Sequence, residues 1–153
     1  MSFWLSLALY GLYALVLVYL SWTDLRTRRI PNVVIGPAIL LALAVMTWTV
    51  GIGPALLGAV VGPLPLIVGR LFAGARQVGM GDIKLAIFVG LILGFPAALW
   101  AVMLGLILSL VVGFVGIVRG GYTLHSRLPF GPFLAVAVLP LLVIAAVVRL
   151  AIL

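Results

Sequence analysis

The chain has 153 residues, enough for a single domain (residues 1–153), and is 67% hydrophobic and 7% charged. Soluble domains carry roughly 25% charged residues, so a soluble fold and a disordered chain are both excluded, and lipid becomes the main solvent. The formal charge of +7 comes from nine Lys and Arg against two carboxylates, Asp24 and Asp82, with one histidine and no cysteine. Cysteine-built zinc sites, iron–sulfur clusters, disulfides and thiol nucleophiles are therefore excluded. Ligands for a His-rich metal site are lacking too. No metal and no cofactor is expected. The basic residues lie between apolar runs rather than on a soluble face, so nucleic acid is not an expected partner.

A bilayer span takes about 20 apolar residues, and the sequence divides into six such runs. The first, about Phe3 to Trp22, reads as a permanent anchor. It has no basic start and no small-residue cleavage site after it. The second runs from Val33 to about Val50. The third, about Gly53 to Phe72, carries Pro63 and Pro65, which predict a kink or local unwinding. The fourth opens at Ile83 and closes near Gly94. It is short for a full crossing, so it is tilted or continues through the Gly94–Phe95–Pro96 turn. The fifth covers about Ala97 to Val118 and the sixth about Phe130 to Leu150. Helices are the expected form, because open strands leave backbone groups unpaired in lipid and the runs do not alternate as barrel strands do. The fold expected is therefore all-α, a polytopic membrane protein with about six transmembrane helices. Gly58 with Gly62, Gly90 with Gly94, and Gly105, Ser109 and Gly113 place small residues every fourth position, where helix backbones approach closely.

The connections differ in charge. Arg26, Arg28, Arg29, Arg70, Arg76, Lys84, Arg119 and Arg127 fall on one side of the membrane, and Arg149 near the other. The positive-inside rule predicts three cytoplasmic basic loops and both termini on the non-cytoplasmic side. For most of these arginines, topology and lipid head-group contact are sufficient reason.

Both carboxylates then fall on the cytoplasmic side at one depth, Asp24 two residues past the first run and Asp82 directly before the fourth. Alone, Asp82 reads as the N-cap of a helix and Asp24 as a loop partner of Arg26 or Arg28. Together they suit an aspartyl hydrolase, in which one carboxylate takes a proton from water and the other, protonated, polarises the peptide carbonyl. The helix-dipole argument expects Asp82, opening a helix, as the ionised partner, and Asp24, closing one, as the proton carrier. Gly79 and Gly81 let the backbone approach a substrate strand or take positive φ. Asn32 is expected to cap the second helix, with Pro31 shaping its start. Lys84 either pairs with an acid or snorkels to lipid phosphate. The Pro129–Gly131–Pro132 turn reads as a structural wall. His125 and Ser126 are poorly placed for a serine hydrolase, since sequence neighbours rarely face each other.

Gly79–Met80–Gly81–Asp82 is a GxGD motif, extended by Ile83–Lys84–Leu85, and with the stretch from Asp24 to Ile30–Pro31–Asn32 and the Pro129–Phe130–Gly131–Pro132–Phe133 block it resembles the type IV prepilin peptidase family. The resemblance covers essentially the whole chain. It implies a membrane aspartic endopeptidase that removes the leader of prepilin, pseudopilin or Flp-type precursors at the cytoplasmic membrane face, with Asp24 and Asp82 as the catalytic pair and Gly79, Gly81, Lys84, Pro31 and Asn32 as motif support. Its partners would be the precursor protein and the bilayer. Larger bacterial members carry a cytoplasmic insert with paired CxxC motifs between the first two spans and also N-methylate the product. Here that connection is short and has no cysteine, which resembles the minimal peptidases and puts N-methyltransferase activity in doubt. The alternatives are another GxGD intramembrane protease, whose aspartates lie within the span, or a non-enzymatic transporter or assembly scaffold, whose acids usually lie near the midplane.

Overall fold

A computed structural model describes residues 3–74, 78–121, 123 and 128–152. Arg76, His125, Ser126 and Arg127 lie outside the described residues. The described residues are all helical in their regular structure: α1 (Phe3–Thr27), α2 (Asn32–Val45), α3 (Ile52–Val61), α4 (Leu64–Ala73), α5 (Met80–Leu93), α6 (Ala97–Val118) and α7 (Phe130–Ile152). Four stretches are long and apolar enough to cross a membrane, namely Trp4–Thr27, Ile52–Phe72, Ala97–Val118 and Phe130–Val148, and Asn32–Trp48 is a shorter apolar segment.

The differences from the expected runs have local causes. α1 continues past Trp22 to Thr27. Thr23 Oγ1 donates to Leu20 O at 2.9 Å, Thr27 Oγ1 donates to Thr23 O at 2.8 Å, and Arg26 lies 4.4 Å over the Trp22 ring, so polar residues are accommodated along the last two turns. The left-handed φ of 51° at Arg28 ends the helix. The second run does not stay α-helical to Val50: α2 tightens into a 3₁₀ turn over Met46–Trp48, and Gly51 at φ 90° reverses the chain. The third run breaks between α3 and α4 at Gly62–Pro63, where the prolines call for it.

α5 is the central helix. Its 14 residues rise only about 20 Å, against roughly 30 Å for a hydrocarbon core. α2, α3, α6 and α7 pack around it, while α1 and α6 lie against α7. From Ile83 to Leu93 nearly every α5 side chain is buried, including Leu85, Phe88, Val89, Leu91 and Ile92. The fourth run was short because its neighbours, more than lipid, form its surroundings. It does not continue straight into α6: Gly94 turns at φ 70° and the Phe95 amide donates to Pro54 O at 2.8 Å. Tyr13 of α1 meets Phe88 edge-to-face with ring centroids 5.8 Å apart.

The small-residue pairs mark the closest helix contact. A Cβ at Gly90 would fall on the backbone of Gly58, and one at Gly58 on Gly90 O. α3 and α5 therefore touch backbone to backbone. Gly105 likewise faces the Leu134 backbone, where a Cβ would sit at 3.1 Å. Gly90→Ala is expected to destabilise the fold by about 1–3 kcal/mol through overpacking. Gly11→Ala, with open space around the position, is expected to be neutral. Thermal unfolding in detergent compares the two.

Candidate active site

One end of the helix assembly collects the last turn of α1 and the first turns of α2, α5 and α7. It holds both carboxylates of the chain.

Asp24 is 5% exposed, against the hydrocarbon-rich interior. A carboxylate at the C-terminal end of its own helix faces an unfavourable dipole. The compensation comes from another helix. Gly131, second residue of α7, donates its amide to Asp24 Oδ2 at 2.8 Å. This is one of the four amides that a helix start leaves without an internal partner. Ser21, one turn before Asp24, donates its hydroxyl to Gly131 O at 3.1 Å. A Cβ on Gly131 would lie 3.0 Å from Asp24 Oδ2. The Pro129–Gly131–Pro132 block, expected as a wall, thus includes a direct partner of a carboxylate.

Asp82 stands in the first turn of α5, since that helix begins at Met80 rather than at Ile83. It is the third helical residue and not the N-cap. Its Oδ2 accepts the Gly79 amide at 3.1 Å, as the acid of a capping box does. Burial in the site pushes its carboxyl up to about 6, the negative charge of Asp24 adds to the rise, and the Gly79 amide opposes it. At Asp82, burial and a like charge thus outweigh the helix-start effect that the sequence reading expected to favour its ionised form.

The supporting residues are distributed around this pair. Gly79 has φ −73°, so positive φ is not its role. A Cβ there would approach Asp82 Oδ2 to 3.1 Å. Gly81 lies under Ile30, whose Cβ would be 3.0 Å from an added methyl. Asn32 does not cap α2: Pro31 holds that position, its carbonyl accepting the Val34 and Ile35 amides, each at 3.1 Å. The Asn32 side chain accepts Lys84 Nζ at 2.8 Å. Lys84 therefore joins the start of α5 to the start of α2 through an amide, a neutral partner that the two sequence options, acid or phosphate, did not include. Arg70 adds a further link, donating to Val78 O just ahead of the Gly79–Asp82 turn.

Two site residues went unrecognised in the sequence, Ser21 and the amide of Gly131. The signal for Gly131 was its block, placed ahead of an apolar run and shared with the family resemblance, which pointed to a wall and not to a carboxylate partner. A glycine in such a block has no side chain to advertise contact with an acid 107 residues away.

Removing the Asp24 charge removes one cause of the rise at Asp82. Asp24→Asn is therefore expected to lower the Asp82 midpoint below about 6, while burial keeps it above the ordinary carboxylate range. Carboxyl infrared titration of the wild type and the variant measures both midpoints.

Comparison with known proteins gives a consistent result. Residues 11–118 match the model of the type IV leader peptidase family. A prepilin leader peptidase/N-methyltransferase of Burkholderia pseudomallei is 33% identical over 136 residues, covering 85% of this chain and 44% of the relative. Proteins of the same name from Xanthomonas campestris pv. campestris (32% over 127 residues, 79% of this chain and 44% of the relative) and Pseudomonas putida (30% over 137 residues, 81% and 48%) are similar. The chain thus spans about half the length of the curated relatives it matches or less. No solved structure gives a significant match.

Proposed function

The chain belongs to the type IV leader peptidase family, and from that membership and the two helix-end carboxylates we propose that it is an aspartic endopeptidase acting on prepilin-like precursors. The observation that carries the mechanism is the placement of both carboxylates at one end of the assembly, Asp24 against the first turn of α7 and Asp82 in the first turn of α5.

One proton serves the pair. Asp82, with its raised carboxyl, holds that proton and donates a hydrogen bond to the scissile carbonyl oxygen. Asp24, as carboxylate, accepts a proton from the attacking water. The C–O bond forms as the carbonyl π electrons move to oxygen, giving a tetrahedral intermediate. Its C–N bond then breaks as the departing nitrogen takes the proton gained by Asp24. The relatives' names join leader peptidase to N-methyltransferase. For this chain we propose only the peptidase half of that name, because its two carboxylates are the chemistry that carries the reading.

The substrate is a prepilin, pseudopilin or Flp-type precursor, cut at the cytoplasmic face of the cytoplasmic membrane. The asymmetry of basic residues supports this orientation. Arg26, Arg28, Arg29, Arg70, Lys84 and Arg119 belong to the same set of helix ends as the carboxylates, which the positive-inside rule assigns to the cytoplasm. The termini then lie on the non-cytoplasmic side.

Purified protein mixed with a prepilin-like peptide tests the reading. Asp24→Asn and Asp82→Asn are each expected to reduce cleavage by about 10²–10⁴-fold, the usual contribution of a positioned acid or base. Full cleavage by either variant would refute the pair. Because the acid must stay protonated, wild-type kcat is expected to fall as pH rises through about 6. Orientation is checked separately. The chain has no cysteine, so Arg29→Cys should react with a membrane-impermeant maleimide only from the cytoplasmic side and Thr47→Cys only from the other.

A further inference from the structure

We propose that Ser21 and Gly131 act as positioning residues for Asp24, clamping its carboxylate between α1 and α7 so that one oxygen is held and the other is presented to Asp82. The inference rests on the peptidase reading above and gives roles that the resemblance does not assign to Ser21, outside its motifs, and to Gly131, within the Pro129–Phe133 block.

The clamp has three parts. Asp24 Oδ2 is held by the Gly131 amide at 2.8 Å. Gly131 is itself held from the other side, its carbonyl accepting the Ser21 hydroxyl at 3.1 Å. Ser21 and Asp24 are three residues apart on α1, hence on one face, and Gly131 is inserted between them. All three residues are buried, Ser21 at 8% and Asp24 at 5% exposure. A side chain at position 131 is crowded by the carboxylate: a Cβ there would stand 3.0 Å from Oδ2 and 3.2 Å from Asp24 Cβ, so Asp24 would have to give by a few tenths of an ångström.

The consequence is directional. A free aspartate turns about its terminal torsion with little preference, and a catalytic base loses efficiency when its oxygen is misplaced. With Oδ2 committed to the α7 amide, Oδ1 is the oxygen that takes the proton from water. Ser21 never touches the reacting atoms. It acts by fixing Gly131, and so the carboxylate plane.

A side chain that only packs α1 against α7 would affect folding, whereas a clamp affects turnover in protein that is fully folded. Ser21→Ala, Ser21→Thr, Gly131→Ala and Asp24→Asn are compared with wild type for kcat and KM on a prepilin-like peptide, with thermal unfolding in detergent measured on the same preparations. Ser21→Ala is expected to lower kcat about tenfold with KM within about twofold and an unchanged melting temperature. Ser21→Thr, which keeps the hydroxyl, is expected to restore most of the rate. Gly131→Ala, which pushes on Oδ2, is expected to lose more rate than Ser21→Ala. Wild-type kcat in Ser21→Ala would overturn the clamp while leaving the peptidase reading intact. So would a loss that follows the melting temperature and is not restored by threonine. Cleavage by Asp24→Asn at the wild-type rate would overturn the dyad, and the clamp with it.

Discussion

A carboxylate next to hydrocarbon must be satisfied by the protein, and at Asp24 a single amide of α7 does so. The Gly131–Asp24 hydrogen bond joins residues 107 apart in sequence and brings the unfavourable end of one helix dipole to the favourable end of another. It fastens one end of the α1–α7 contact and leaves little room for a side chain at 131. A side chain there would either displace the carboxylate or separate the helices. Asp82 solves the same problem within its own chain segment, using the Gly79 amide at the start of α5. Both acids are thus held by amides at helix starts, one in trans and one in cis.

The second constraint is the length of α5. A helix rising about 20 Å does not span a bilayer unaided, and it is stable here because its sides are covered by protein. That requires neighbours to come close. Gly58 and Gly90 allow it by removing both side chains from the α3–α5 contact. Central burial of α5 also explains the chemistry of Asp82. The acid opens a helix whose body is surrounded by apolar side chains, so the carboxyl is desolvated enough to hold its proton up to about pH 6. The glycine contact and the raised carboxyl are separate results of placing a short helix at the centre of the assembly.

Charge is distributed with the same economy. The chain has only two acidic side chains, and both are placed where the helix ends meet. Three nearby cations are engaged elsewhere, Arg26 on the Trp22 ring, Lys84 on Asn32 and Arg70 on the Val78 carbonyl, while the charge of Arg28 bears on Asp24 without closing an ion pair. Each of these contacts ties down a helix end without neutralising the carboxylates. Loss of charge from the pair by tight ion pairing would stabilise both ionised forms and remove the shared proton that the proposed reaction uses.

Much of this was legible in the sequence, because hydrophobicity and backbone chemistry are local. Lipid as solvent, the bounds of α6, the start of α7, the break at Pro63, the close contact of glycine-bearing helices and the placement of Asp24 and Asp82 at one end of the assembly all follow from composition, spacing or motif. What required the tertiary structure was the choice of polar partners. Asn32 was read as a cap, but Lys84, 52 residues away, takes its side chain. Asp82 was read as standing before its helix, but it stands inside the first turn. Ser21 carried no visible signal, and Gly131 was visible only as part of a block read as a wall. A buried hydrogen bond is decided by which groups the packed helices bring within 3 Å of each other, and no periodicity along the chain encodes that distance. The sequence alone determined which segments enter the membrane and which residues carry charge. Only the folded assembly decided which amide meets which carboxylate, because desolvation and orientation arise when the helices close around them.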